Sequence, residues 1–585
     1  MCETPSWHSS GCSILSPILF SIYLNDIERI LYKDTQIALY ADDIIIWATH
    51  ENKEKAVERL QMALNKFSIF AHNRKLTINP TKSEVSVFTI NNHLRSWRPT
   101  LLLNNRPISF NVNPKYLGVT LDPSLSYKNH IDNIVTRAKK RLNIIKYISG
   151  KDWGANAKTL RITYLSLIRP ILEYSLPVWI SASKTNIDKV DRIQASAAKI
   201  ICGLRNTTPN DLASFEADLL PLDKRRELVF TKFILKSQSA PRNHRTGKLI
   251  RKWKYQNRLK RISPMHLTVN NEIYSHKLEK RPTSSLAPHI PRNTPIIDLS
   301  LNDKLSKQSD IPAYLKNESL QLISEIDQNS IFIYTDGSLL GDNRSGSGVY
   351  IRDGNQTVEI SISNPKGISI YKAELNAINT AIIKINKDTP ITCHIFSDSR
   401  AALSAIDNCF TRREDILIKI AKNLNRLHPE SNICLHWVPA HVGIPGNEKA
   451  DALAKAGAEG LTSDPSSGVQ VSFEELLSHK KHLLYTTWKT GLKHHWYCGQ
   501  VPGESIKLNL NRKDNTALSR LKVGHTRPLI FKNGRKQFPL CNNCNRESAT
   551  PEHLLLCMGL CKEDLYRAPT QVIQALKDSN LYELA

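Results

Sequence analysis

Two patterns of apolar residues divide the chain: short β-branched runs, and longer stretches in which apolar positions recur every three to four residues. Residues 331–335 (Ile-Phe-Ile-Tyr-Thr) and 391–397 are runs of strand length. Between them Tyr371, Leu375, Ile378, Ile382 and Ile385 share one face of a predicted helix. Over 129–150 the positions Ile131, Ile134, Val135, Ala138, Leu142 and Ile145 keep helical spacing. Arg137, Lys139, Lys140, Arg141 and Lys146 fall mainly on the opposite face, and Gly150 is a stop. Further helices are predicted to about residue 236, broken at Pro170 and Pro177. Residues 237–328 are rich in Pro, Ser, Asn and Thr, lack periodicity and read as a linker. Near the N-terminus two apolar runs, 37–39 and 44–47, flank Tyr40-Ala-Asp42-Asp43. The sum is an α/β (α+β) multidomain chain without a repeat of fixed period.

Four carboxylates stand where these patterns change. Asp336 follows the run 331–335 and precedes Gly337; Asp398 follows the run 391–397, with a helix expected from Ser399. Glu374 falls on the edge of the apolar helix face, and Asp451 is expected in the first turn of a last helix capped by Asn447. Any one of them alone reads as a surface acid. Together, beside apolar segments, they are costly, because burial and mutual repulsion both oppose ionisation unless a cation neutralises them. That pattern points to a divalent-metal site of the phosphodiester-cleaving kind. A Gly- and Pro-bearing loop, Trp437-Val-Pro-Ala-His441-Val-Gly-Ile-Pro-Gly446-Asn-Glu448, leads into the last acid.

With that loop, residues 330–460 resemble the type 1 ribonuclease H family, a mixed sheet with flanking helices. The resemblance implies that Asp336, Glu374, Asp398 and Asp451 are metal ligands. It implies for His441 the proton-shuttling or product-releasing role, although a loop histidine reads equally as a solvated residue. The implied reaction is hydrolysis of the RNA strand of an RNA–DNA hybrid with two Mg²⁺ (or Mn²⁺) ions about 4 Å apart. One ion activates a water and the other stabilises the leaving 3′ oxygen. Gly337 and Ser338 then allow close backbone approach to the minor groove, where the 2′-OH marks RNA.

The acidic pair Asp42 and Asp43 lies downstream of Leu15-Ser-Pro-Ile-Leu-Phe20 and Tyr23-Leu-Asn-Asp26. It lies upstream of Leu76-Thr-Ile-Asn-Pro80-Thr-Lys82 and Lys115-Tyr-Leu-Gly-Val119. In that order the set resembles the reverse transcriptase palm of non-long-terminal-repeat (LINE-type) retrotransposons, over about residues 9–120. The family's further metal-binding aspartate on an upstream strand has no counterpart. Asp26 and Asp34 stand too near the pair, and the nucleotide-gripping fingers are missing. Where the family has a Gln-Gly pair the chain reads Ser9-Ser-Gly-Cys-Ser13. We therefore expect a polymerase remnant in a truncated open reading frame, without independent polymerase activity.

Charge sharpens the picture. The chain of 585 residues carries a formal charge of +26, from 80 basic and 54 acidic residues. Residues 331–460 hold 14 Lys/Arg and 14 Asp/Glu, so the excess lies outside the nuclease segment. Basic neighbours around a neutral module suit a polyanionic substrate. One run, 251–261, interleaves six basic residues with two aromatics and reads as a nucleic-acid contact, a nuclear address or a solubilising linker. Apolar runs never reach 18 residues, so no membrane span is predicted. The apolar stretch 14–24 contains Pro17 and reads as core rather than signal peptide.

Eleven cysteines are scattered except near the C-terminus, which suggests a reducing compartment. There Cys541, Cys544, His553 and Cys557 have the spacing of a Cys₃His Zn²⁺ site, with Cys561 as the alternative to Cys557. With the basic 520–527 upstream, this segment resembles the C-terminal part of many retrotransposon polyproteins and implies nucleic-acid binding.

The segmentation expected is 1–120 partial reverse transcriptase palm, 121–236 helical thumb or connection, 237–328 basic linker, 329–461 ribonuclease H, and 462–585 basic zinc-bearing tail. The expected partners are RNA–DNA hybrids and other nucleic acid, a retroelement RNA or partner chain, and no membrane. An intracellular setting, nuclear or cytoplasmic, is left open. Two alternatives are a part of an active RNA-directed DNA polymerase and a catalytically inert nucleic-acid-binding protein.

Overall fold

The computed structural model describes residues 15–30, 35–150, 153–241, 244–252, 278–280, 293–301, 311–385, 388–408, 414–462, 468–492 and 494–585. Residues 9–13, Asp34 and the aromatic part of the run 251–261 lie outside the described residues. Contacts gather in two units, Met1–Asn143 with Ala182–Ile193, and Ile144–Ser181 with Gln194–Ala585.

In the first unit, helix α1 (Leu15–Leu24) precedes an antiparallel hairpin, β1 (Thr35–Tyr40) and β2 (Asp43–Ala48), and helix α2 (Lys53–Asn73). Tyr40 pairs with Asp43, so Ala41, at positive φ, and Asp42 form the two-residue turn. Asn52 caps α2 by accepting from the Lys55 N–H. Leu24, Ile27, Ile37 and Phe70 make a small core, while Leu15, Ile18, Leu19 and Ile22 of α1 are each more than half exposed. Helix α3 (Lys128–Ile148) follows the expected stripe: its six apolar positions are buried and its five basic ones exposed.

The second unit is built on a six-stranded sheet. Its strands are β3 (Ile296–Asp298), β4 (Ile331–Leu339), β5 (Ser345–Asp353), β6 (Gln356–Ser363), β7 (Thr392–Ser397) and β8 (Asn432–Trp437). Their order is β6-β5-β4-β7-β8-β3, antiparallel among the first three and parallel from β4 to β3. Helices α4 (Pro312–Glu325), α5 (Ile370–Lys384), α6 (Arg400–Asp407), α7 (Asp415–Leu424) and α8 (Pro445–Glu459) cover it. Ile333, Val349, Ile378, Ile395, Leu403, Leu417 and Leu435 lie in the core on the face of α5 to α7. Phe332, Tyr334, Tyr350 and Phe396 pack with Ile444 and Ala450 on the other face.

The chain is thus a multidomain α/β protein, as expected, with four local departures. The apolar stretch 14–24, expected in a core, gives helix α1, of which only Leu24 is buried. Strand β4 does not stop at residue 335, because Gly337, Ser338 and Leu339 go on pairing with Ser347, Gly346 and Ser345. Helix α8 starts two residues before Asn447, since Pro445 has the φ a first helical residue needs. Asn447 is therefore inside the first turn, Ile444 is the cap, and Asp451 lies beyond the reach of the helix dipole. Within 237–328, residues 296–298 and 312–325 are a strand and a helix start of this unit, the strand held by pairing with Cys434, Leu435 and His436.

The C-terminal region belongs to the same unit. Helix α9 (Phe473–Gly491) begins with a capping box between Ser472 and Glu475, and Glu475 also accepts from the Ser369 N–H at the start of α5. Helix α10 (Arg512–Val523) turns the buried Arg512 onto the carbonyls of Ile200 and Ile201, at 2.7 and 2.5 Å.

Candidate active site

Sheet register brings the first two acids together. Thr335 and Ser397 are the last residue pair between the parallel strands β4 and β7. Asp336 and Asp398 come next, side by side just outside the carboxyl end of that pairing, where ligands collect in open α/β sheets. Helix α5, capped by Ser369, delivers the buried Glu374 from above. Oxygens of Asp336, Glu374 and Asp398 all lie within 4.8 Å of one another. Gly337 is buried under α5, and a Cβ there would lie 2.6 Å from the Glu374 nitrogen. Its missing side chain serves this helix contact, while Ser338 is half-buried beside it.

Asp451 arrives on α8. That helix lies almost on the strand backbone: a Cβ on Gly348, which pairs with Asp336, would be 2.1 Å from the Ala450 oxygen. Asp451 lies in hydrogen-bonding reach of Asp336, and Lys455 one turn on holds Asp451 at 2.6 Å. Beneath Asp398, the Trp437 indole N–H donates to its carbonyl at 3.0 Å, and the Arg400 guanidinium stacks 3.7 Å over the same indole.

The electrostatics follow from this crowding. Burial, then the charges of Asp398 and Asp451, push the Asp336 carboxyl from 3.8 to about 7. Burial, then Asp336 and Asp398, push Glu374 well above the carboxylate range. Oε2 of Glu374 is buried with no hydrogen-bond partner. An orphaned oxygen inside a set of hard carboxylate donors is what a divalent cation such as Mg²⁺ or Mn²⁺ satisfies, so these residues fit one.

His441 is exposed, in left-handed backbone conformation (φ 57°), with Nδ1 3.9 Å from the Asp451 carboxylate. It forms a second group with Asp451 and Glu448, whose donor atoms lie within 4.8 Å of one another. Glu448 was missed in the sequence, where its i, i+3 spacing to Asp451 on a helix was the available signal. Asp42 and Asp43 are exposed at the β1–β2 turn, and among the described residues no third acid completes a metal-binding group with them.

The tail forms a third cluster. Cys541, Cys544, His553 and Cys557 gather with donor atoms within 4.8 Å of one another. Cys541 and Cys557 sulfurs are 3.9 Å apart, and Cys544 Sγ is 3.2 Å from His553 Nε2. Ligands on one tetrahedral Zn²⁺ stand roughly 3.5–3.8 Å apart, so the residues fit this ion. Helix α11 (Pro551–Cys557) puts the last two ligands one turn apart, and His553 Nδ1 faces Glu547 at 2.8 Å. Backbone N–H groups of Arg546 and Glu547 lead in lowering the Cys544 thiol to about 6. Cys561 is exposed and outside the group, its own N–H held by Asp564.

Residues 328–459 match the RNase H family, and residues 10–121 match the family described as reverse transcriptase (RNA-dependent DNA polymerase). The chain carries the reverse transcriptase and ribonuclease H domains of a LINE-type retrotransposon protein. It is 26% identical over 203 residues to the probable RNA-directed DNA polymerase from transposon X-element of Drosophila melanogaster, covering 34% of this chain and 22% of that one. It is 29% identical over 197 residues to the RNA-directed DNA polymerase from mobile element jockey of the same fly, covering 33% and 21%. The retrotransposon chain thus spans about a fifth of the length of these curated relatives. Among solved structures, LC9-RNase H1, a type 1 RNase H with the type 2 active-site motif, aligns at 23% identity and TM-score 0.21 over 26% of this chain and 81% of that one. RNase H1 from the halophilic archaeon Halobacterium salinarum NRC-1 aligns at 19% identity and TM-score 0.19 over 22% and 98%. Both matches are to families of nucleic-acid-processing enzymes.

Proposed function

We propose that this chain cleaves the RNA strand of RNA–DNA hybrids by a two-metal mechanism at the Asp336, Glu374, Asp398 and Asp451 pocket. One observation carries the reading: the buried, unpartnered Oε2 of Glu374 among carboxylates that repel one another. Divalent ions, when bound, supply an acidified water and neutralise charge on the leaving 3′ oxygen. The four carboxylates hold them, and β4, β7, α5 and α8 fix those carboxylates before substrate arrives. His441, exposed at the rim beside Asp451, passes a proton or helps product leave. The basic segments outside residues 331–460 grip the phosphate backbone.

The test is a labelled RNA–DNA hybrid incubated with the full chain and Mg²⁺, beside Asp398→Asn. Cleavage by the unaltered chain alone, with the variant down by more than the ~10–100-fold that outer-shell changes cost, supports the proposal. Cleavage by both proteins, or by neither, removes it.

The exposed Asp42–Asp43 pair, without a third acid among the described residues, favours a polymerase remnant with no activity of its own. Templated primer extension by the purified chain would overturn that. The tail cysteines and His553 are proposed to hold a structural Zn²⁺, which metal analysis tests.

A further inference from the structure

Four side chains with metal-binding chemistry stand on one face of the sheet, away from the carboxylate pocket. In parallel pairing, residues directly opposite each other point to the same face. His394 is opposite Cys434, Phe396 is opposite His436, and His436 is opposite Asp298 on the edge strand β3. His394 lies four residues before Asp398, roughly 13 Å down the strand from the pocket.

Donor atoms of His394, Cys434 and His436 lie within 4.8 Å of one another. The two rings are nearly parallel, with His394 Nδ1 2.9 Å from His436 Nε2. Two imidazole nitrogens on one tetrahedral zinc are roughly 3.3 Å apart. Cys434 is a free, buried thiol. The other nitrogen of His436, Nδ1, is buried with no hydrogen-bond partner, and the Asp298 carboxylate stands 3.8 Å away. A metal-bound histidine characteristically turns its second N–H to a carboxylate, and a shift of under an ångström would complete that contact here.

We propose that His394, Cys434 and His436 bind a transition-metal ion, with Asp298 orienting His436. Two nitrogens and one sulfur select zinc or a similar borderline ion over Mg²⁺. Three protein ligands leave a fourth position for water or an incoming ligand. Strand β3, only three residues long, joins the sheet among the described residues by pairing with 434–436, so the ion also ties this edge in place through Asp298.

The test loads the full chain with zinc in excess Mg²⁺, which keeps the acidic pocket from competing, and measures metal per chain after dialysis. The unaltered chain is expected to hold about two zinc ions. Cys434→Ser and His394→Gln each hold about one, and lose the rise in melting temperature that the second equivalent brings. Cys544→Ser, which strikes the tail, also holds about one but keeps that rise. His394 is only half-buried, so His394→Gln keeps the measurement valid if Cys434→Ser does not fold. A sulfur-to-metal absorption band with Co²⁺ that loses part of its intensity in folded Cys434→Ser would be further support. The same zinc content in the unaltered chain and in folded His394→Gln overturns the proposal and leaves a hydrogen-bonded histidine pair in the sheet face. Neither result bears on hybrid cleavage, which the Asp398→Asn comparison decides.

Discussion

Gly348 is the position at which packing and chemistry are most tightly linked. It pairs with Asp336, and a methyl group there would lie 2.1 Å from the Ala450 oxygen and 2.5 Å from the Ala454 nitrogen. Ordinary contact begins at 3.4 Å, so Gly348→Ala requires α8 and β5 to separate by 3.4 − 2.1 = 1.3 Å. Both obstructing atoms are backbone, so no side chain can rotate away. Overpacking of this kind costs about 1–3 kcal/mol. Because Asp451 is the next residue after Ala450, it moves away from Asp336 with the helix. Misplacing a catalytic group by about 1 Å costs on the order of a hundredfold in rate. The assay is single-turnover cleavage of a labelled hybrid at saturating Mg²⁺, with far-UV circular dichroism at the same temperature. Gly341→Ala, where a methyl meets nothing within 4 Å, is the control and is expected to match the unaltered chain. Folded Gly348→Ala that cleaves within about twofold of normal would refute the idea that close helix–strand packing positions Asp451.

Three further outcomes are expected. In chelator, the Asp336 carboxyl held at about 7 destabilises the fold at pH 8 by about 4 kcal/mol. Its folded value is above its unfolded one, so the contribution of this group to the stability of the metal-free chain is greatest below about pH 4 and is lost as pH rises through 7. Asp336→Asn should flatten that slope and melt higher than the unaltered chain at pH 8; equal melting curves would contradict it. His441→Ala should slow turnover by roughly a hundredfold with hybrid affinity unchanged, read from pre-steady-state and binding measurements, and an equal loss in both would make it a binding residue. Cys544→Ser should loosen the tail core of Leu518, Leu554 and Leu576, seen as early hydrogen exchange in α10 and α11; unchanged protection would remove the structural role of zinc.

What could be read in advance depended on whether the decisive interaction was local. Asp336 and Asp398 each end an apolar run, and parallel pairing of two such runs leaves them adjacent. Glu374 was legible because helical spacing assigns it a face. Asp451 was found but placed in the wrong turn, since Asn447 was given the cap that belongs before Pro445. Strand β3 was invisible: three residues carry no periodicity, and their strand state comes from backbone pairing with 434–436, over 130 residues away. His394, Cys434 and His436 were hidden for a related reason. Along β7 and β8 they alternate with core residues such as Ile395 and Leu435, and only register reveals that they meet. In the tail, spacing allowed Cys557 or Cys561, and the turn of α11 selects the first. The same contrast explains the nuclease pocket. Four acids facing a polyanion repel it, and residues 331–460 have no net charge with which to compensate. Attraction must therefore come from cations gathered at the acids and from basic surface elsewhere in the chain, which is where the +26 resides. A carboxylate pocket in a neutral domain is thus intelligible only with both contributions, one from bound ions and one from neighbouring chain.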